Sequence, residues 1–149
     1  PGETDEDFAR TLEVAAEAEY DSAYTFIYSP REGTEAATMT DKFVPHEVCV
    51  ERFEQLRAVI ERSARRKHEA RVGRVEEVIV EGPSKRDPGV LTGRTRQNKL
   101  VHFPSDTPIR VGSFADVRIT AGASHYLHGE LVAVTAAPRH RTRIPVSAG

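Results

Sequence analysis

The feature that most constrains this chain is a change of texture at residue 72. From there to about residue 135, apolar residues come in short β-rich runs, and turn residues interrupt them before a helix has room to form. The runs are Val72–Val80, Gly89–Thr95, Asn98–Phe103, Phe114–Thr120 and Tyr126–Val134. Gly82-Pro83-Ser84, Pro88-Gly89, Pro104–Pro108 and Gly122 mark the turns between them. In the fourth run Ala115, Val117 and Ile119 alternate with Asp116, Arg118 and Thr120, the period of a half-buried strand. Five short strands in roughly 65 residues predict a small all-β barrel, closed or nearly closed, of the OB-like kind. Residues 136–149, with Pro138, Arg139, His140, Arg141 and Arg143, read as a flexible basic tail.

The residues before this point follow helical periods. Thr4 is a predicted N-cap, with Asp7 in the position of a capping box. Asp5, Glu6 and Asp7 place negative charge at the positive pole of the helix that follows. Phe8, Leu12 and Ala15 give that helix one apolar stripe. Residues 22–28, Ser-Ala-Tyr-Thr-Phe-Ile-Tyr, read as a strand closed by Ser29, Pro30 and Gly33. A helix followed by a strand points to the edge of a parallel α/β sheet. Residues 45–70 read as one long helix. Its Cys49, Phe53, Leu56, Ile60 and Ser63 recur at steps of four, three, four and three. Its end carries Arg62, Arg65, Arg66, Lys67 and His68, with Arg71 beyond, which suit the negative pole or simply a solvated surface. The expected organisation is therefore 1–44 as the end of an α/β barrel, 45–71 as a connecting helix, 72–135 as the β-barrel and 136–149 as the tail.

Charge follows the same division. Residues 1–71 carry 10 Lys and Arg against 16 Asp and Glu, whereas residues 72–149 carry 11 against 7. The second part is the one suited to a polyanion. Its densest candidate surface combines Lys85 and Arg86 on a turn with the segment Gly93-Arg94-Thr95-Arg96-Gln97-Asn98-Lys99 and the strand end His102-Phe103. Lys and Arg would meet phosphates, Asn98 and Gln97 would reach base edges, and His102 and Phe103 would stack on a base. The alternative is that the arginines are solvated and Phe103 is core.

Other chemistries find little support. No stretch approaches the roughly 20 apolar residues of a membrane span. No serine has a nucleophile-elbow context, and no dinucleotide fingerprint or phosphate loop is present. His125 and His128 are three apart without a second motif to complete a metal site. The single cysteine, Cys49, excludes an internal disulfide and an all-cysteine metal site, and suits a reducing, cytoplasmic setting. The opening Pro1-Gly2-Glu3-Thr4, without a Met, points to a piece of a longer chain.

Longer strings carry a family resemblance. Pro1-Gly2-Glu3-Thr4-Asp5-Glu6-Asp7-Phe8 resembles the loop and helix after a late strand of the radical S-adenosylmethionine barrel in methylthiotransferases. Tyr24-Thr25-Phe26-Ile27-Tyr28-Ser29-Pro30-Arg31-Glu32-Gly33-Thr34-Glu35-Ala36-Ala37 resembles that barrel's last strand and the loop after it. Val80-Glu81-Gly82-Pro83-Ser84-Lys85 and Leu91-Thr92-Gly93-Arg94-Thr95-Arg96-Gln97-Asn98-Lys99-Leu100-Val101-His102-Phe103 resemble the TRAM domain of the MiaB branch of tRNA methylthiotransferases. The resemblance runs to about residue 134. It implies a parent enzyme that converts isopentenyladenosine beside the anticodon to its 2-methylthio form, using S-adenosylmethionine and two four-iron, four-sulfur clusters. It implies a TRAM barrel that binds the tRNA anticodon arm through Lys85, Arg86, Arg94, Arg96, Asn98, Lys99, His102 and Phe103. Tyr28 and Ser29, at a strand end, are the expected lining of the adenosylmethionine pocket. The family's CxxxCxxC motif has no counterpart here, so this piece alone is expected to be inactive. A stand-alone RNA-binding module and a barrel that docks on protein are the rival readings.

Overall fold

Strand after strand in residues 75–136 alternates an apolar residue with a polar one, and such strands bury their apolar side only by closing around it. The computed structural model describes residues 1–138, and it shows this closure. Strands β1 (Val75–Pro83), β2 (Val90–Thr95), β3 (Leu100–Pro104), β4 (Phe114–Gly122) and β5 (Leu127–Ala136) form a closed barrel in the order β1-β2-β3-β5-β4. The pairings are antiparallel except for β3 with β5, which run parallel over Val101 opposite Leu127 and His102 opposite His128. The predicted five-stranded barrel is therefore the observed fold, with strand ends displaced by at most three residues.

Inside lie Val78, Val80, Val101, Phe103, Ala115, Val117, Ile119 and Leu127, with Leu91, Ile109 and Leu131 packed against them. The alternation read in β4 is the one observed: Ala115, Val117 and Ile119 are fully buried. Each such aliphatic side chain contributes roughly 1.5–3 kcal/mol on burial, so the interior is the main source of barrel stability. Two glycines let the walls approach. At Gly93 a Cβ would lie 3.0 Å from the Ile79 carbonyl oxygen. At Gly129 it would lie 2.4 Å from Val117 Cγ1 and 2.7 Å from the Arg118 carbonyl oxygen. Register shifts in β1 between Val80 and Gly82, and three along β4 and β5, add the local twist that closure requires. The β2–β3 hairpin turns on Asn98, whose φ of 61° is left-handed, and Asn tolerates this better than most residues.

The chain divides into two compact units. One is Pro1–Ala70 together with Ala123–His125, and the barrel makes the other. In the first, α1 spans Asp5–Ala18 and begins with the expected capping box. The Asp7 amide donates to Thr4 Oγ1 at 3.1 Å, and the Thr4 amide donates to Asp7 Oδ2 at 2.9 Å. These Thr4 hydrogen bonds, backbone first, hold the Asp7 carboxyl below its usual value. A short helix, α2 (Glu35–Thr38), and a 3-10 turn precede α3 (His46–Glu69). Pro45 is the N-cap of α3. Phe8 and Ala15 of α1 are buried, as are Ile60 and Ser63 of the predicted α3 seam. Arg52, Ala64 and His68 share that burial without having belonged to the stripe. The basic end of α3 is partly consumed within the unit: Arg66 pairs with Glu19, and Lys67 Nζ lies 3.1 Å from Asp21 Oδ1.

One expectation is corrected. Residues 22–28 form no strand; they run as irregular chain. A strand needs a neighbour to complete its hydrogen-bond ladder, and among the described residues none lies beside this segment. Tyr24 and Phe26 are accordingly 94% and 84% exposed. The α/β barrel edge expected over 1–44 is thus not formed as such, although its helix is. The basic tail lies, from residue 139 on, outside the described residues; Ala136 ends β5.

Replacing Gly129 with Ala should destabilise the barrel by about 1–3 kcal/mol, because the added methyl meets Val117 and the β4 backbone inside a closed wall. Urea unfolding of the variant followed by far-ultraviolet circular dichroism checks this, and an unchanged midpoint would refute the packing account.

Candidate nucleic-acid interface

Strand register decides which candidate residues reach solvent together. On β3, Val101 and Phe103 point inward, so His102 points out. On β2, Gly93 and Thr95 are buried, which turns Thr92 and Arg94 outward. On β5, Leu127 and Gly129 are buried, and His128 is exposed between them. The pairings Thr92 with His102 and His102 with His128 place these three residues in one row across the outside of β2, β3 and β5. The pairing of Arg94 with Leu100 starts the next row, and Tyr126, two residues before His128, continues it on the β5 side.

The row carries a ring cluster. The His102 and Tyr126 centroids are 5.3 Å apart, Tyr126 and His128 are 5.2 Å apart, and both pairs meet edge to face. His102 and His128 are 6.3 Å apart. Burial, and then the neighbouring His128, hold His102 below the usual imidazole value, so its ring is neutral at neutral pH. Its Nδ1 is buried and has no hydrogen-bond partner among the described residues.

Around this cluster the cations differ in their freedom. Lys85 and Arg86, on the β1–β2 turn, are exposed and make no ion pair among the described residues. Arg94 Nε donates to Glu81 Oε1 at 3.0 Å, and its NH1 approaches Asn98 Oδ1 at 3.3 Å. Arg96 lies 2.7 Å from Glu77 Oε1. These are exposed or half-exposed pairs, worth about 0–1 kcal/mol each, and a phosphate can compete for them. Arg71 joins Glu76 at 2.7 Å and the Gln97 carboxamide oxygen at 3.3 Å.

Two predicted contacts are corrected. Phe103 is 0% exposed and belongs to the barrel core, so it offers no face for a base. Lys99 is only 6% exposed, because the tight β2–β3 hairpin folds it back, and it is not a solvent-facing cation. Sequence reasoning missed Tyr126 in this role and weighed His128 only as a metal ligand. Their alternation with Leu127 and Gly129 indicates an outward direction, but their proximity to His102 depends on the parallel β3–β5 pairing, which local sequence does not specify.

The remaining candidates lie in the other unit. Tyr28 lines a cleft of about 470 Å³ with Pro1, Glu3, Phe8, Arg52 and Phe53, while Ser29 stands outside that lining. Tyr28 meets Phe43 edge to face at 5.8 Å. Arg52 NH2 donates to Asp5 Oδ1 at 2.7 Å and NH1 donates to Glu3 Oε2 at 2.5 Å, with the guanidinium over the Phe8 ring. Among the described residues no cluster of three or more His, Cys, Asp or Glu could hold a metal, and no helix is long and apolar enough to cross a membrane.

A five-stranded barrel with this outer face has a counterpart among known families: residues 69–132 match the TRAM domain. The chain is 52% identical over 131 residues to the tRNA-2-methylthio-N(6)-dimethylallyladenosine synthase of Geobacillus thermodenitrificans (strain NG80-2), an alignment covering 88% of this chain and 25% of that protein. It is 52% identical over 132 residues to the enzyme of the same name from Geobacillus kaustophilus (strain HTA426), covering 89% and 24%. Against that from Burkholderia mallei (strain SAVP1) it is 44% identical over 135 residues, covering 89% and 29%. Fold and family match together define a TRAM-domain protein. The chain is similar to these tRNA-2-methylthio-N(6)-dimethylallyladenosine synthases, in line with the MiaB resemblance of its sequence, and it spans about a quarter of the length of the curated relatives it matches.

The burial of Phe103 has a direct consequence. Phe103→Ala should cost about 3–5 kcal/mol of barrel stability. Phe103→Leu, which keeps most of the volume, should leave the RNA affinity of the folded fraction unchanged. Urea unfolding paired with RNA titration tests both, and selective loss of RNA affinity in a fully folded Phe103→Leu variant would restore Phe103 to the contact surface.

Proposed function

We infer that this chain is the RNA-holding part of a tRNA-2-methylthio-isopentenyladenosine synthase, with the barrel gripping the anticodon arm of tRNA. The observation that carries this reading is the outer face of the barrel. Cations without an ion pair among the described residues, Lys85 and Arg86, and weakly paired ones, Arg94 and Arg96, accompany a ring cluster, on a domain whose sequence runs through the TRAM match. Lys85, Arg86, Arg94 and Arg96 are assigned to phosphates, and Asn98 and His102 to bases.

In the larger enzyme, residues 1–44 would complete the edge of a radical S-adenosylmethionine barrel. Exposed Tyr24 and Phe26 are the residues such a neighbour would cover. Tyr28 is proposed as one wall of the adenosylmethionine pocket, with Ser29 beside it at the rim. Residues 45–71 would connect this part to the TRAM barrel, and the cytoplasm is the proposed setting. The two iron–sulfur clusters do not fit this chain. Each needs several thiolates, and Cys49 is alone and half-buried. Cluster ligation and the methylthio transfer that depends on it therefore belong to other parts of the enzyme. Iron and sulfide reconstitution of the purified chain should yield no cluster absorbance band, and a stable band would overturn this division.

Titration with a labelled anticodon stem-loop at several salt concentrations tests the grip. Log affinity should fall linearly with log salt, and Lys85→Ala or Arg86→Ala should each reduce the slope by roughly 0.7–0.9. Absence of binding at low salt would sink the RNA-holding role.

A further inference from the structure

We propose that Tyr126 and His128, with His102 between their strands, form a docking site for one unpaired nucleobase on the outside of the barrel. The inference rests on the RNA-holding reading above and assigns it a specific base-binding site. The arrangement of the rings carries it. Edge-to-face packing holds Tyr126 against both imidazoles, and the rings border solvent, with His128 exposed and Tyr126 half-exposed. An edge-to-face cluster is rigid, so a base stacking on it meets a surface already ordered. His102 backs the cluster, with its Nδ1 buried and without a hydrogen-bond partner among the described residues.

The occupant is a nucleotide rather than an apolar side chain because of what shares the face. By register, Arg94 stands in the same row as Tyr126, two strands away, which at about 5 Å per strand is about 10 Å. Its guanidinium already binds the Glu81 carboxylate, so it is oriented for an oxyanion. Lys85 and Arg86 lie on the turn that leads into the same β2 strand. A base on the rings with its phosphates toward β2 would meet both kinds of group. An apolar partner would instead bury these charges without compensation.

The test uses the whole chain and an RNA stem-loop carrying 2-aminopurine at successive loop positions, whose fluorescence falls when the base stacks. In the unaltered protein, one loop position should be quenched on binding. Tyr126→Leu and His128→Leu should each abolish the quench and weaken binding about 5- to 150-fold. The slope of log affinity against log salt should stay unchanged, because no phosphate contact is lost. Tyr126→Trp, which preserves a stacking face, should retain the quench, and circular dichroism should show every variant folded. Replacing the quenched base with an abasic site should weaken binding to the unaltered protein and leave the leucine variants unaffected. Two results would overturn the site while leaving the RNA grip intact: salt-dependent binding with no quenched position, or an equal loss in the leucine variants on intact and abasic RNA. No binding at any salt would overturn both.

Discussion

The structure depends on one short contact, the parallel pairing of β3 with β5. It is built on Val101 opposite Leu127 and His102 opposite His128. Without it the five strands would be an open sheet with two free edges and an apolar face in water. With it, Val101 and Leu127 are sealed inside against Phe103 and Ile119. The same two-residue pairing sends His102 and His128 to the outside, side by side. Closure of the core and assembly of the ring cluster are thus one event, because side chains alternate across a strand. A one-residue slip in this register would expose Leu127 and bury an imidazole, so the core itself enforces the arrangement of the outer face.

How much of this was legible in the sequence depends on how local each signal is. The capping box of Thr4 and Asp7 involves groups three residues apart, and it appears as expected. The inward set Ala115, Val117 and Ile119 is a period-two pattern within one strand, and it too appears as expected. The α3 seam was correct at Ile60 and Ser63, but Arg52 was missed because its burial comes from partners 47 and 49 residues away, Asp5 and Glu3. Residues 22–28 have the composition of a strand and lack the neighbour that makes one. Phe103 was ambiguous because a large aromatic before a turn suits either a core or a stacking face. Only the register, with His102 outward, resolves which of the two residues has which role.

Within the barrel the charges nearly balance: residues 72–138 carry 8 Lys and Arg against 7 Asp and Glu. Glu76, Glu77 and Glu81 on β1 receive Arg71, Arg96 and Arg94 in turn. Without RNA, these carboxylates limit mutual repulsion among the arginines and hold them in place. With RNA, a phosphate must displace a weak surface pair or join it, and the exchange costs little in high dielectric. Among the described residues Lys85 and Arg86 have no such carboxylate partner, so they provide charge without orientation. Steering and positioning therefore fall to different side chains on one face.

Charge alone would make this face an indiscriminate binder, because every nucleic acid presents the same phosphates. Discrimination must come from groups that respond to bases, and on this face those are few. Asn98 is committed in part to the hairpin, with its backbone left-handed and its carboxamide near Arg94. Phe103 and Lys99 are withdrawn into the structure. What remains is the cluster of His102, Tyr126 and His128, where partly exposed rings meet edge to face. The barrel's cations would set how tightly RNA is held, while the rings would determine whether an unpaired base lies where the grip requires it.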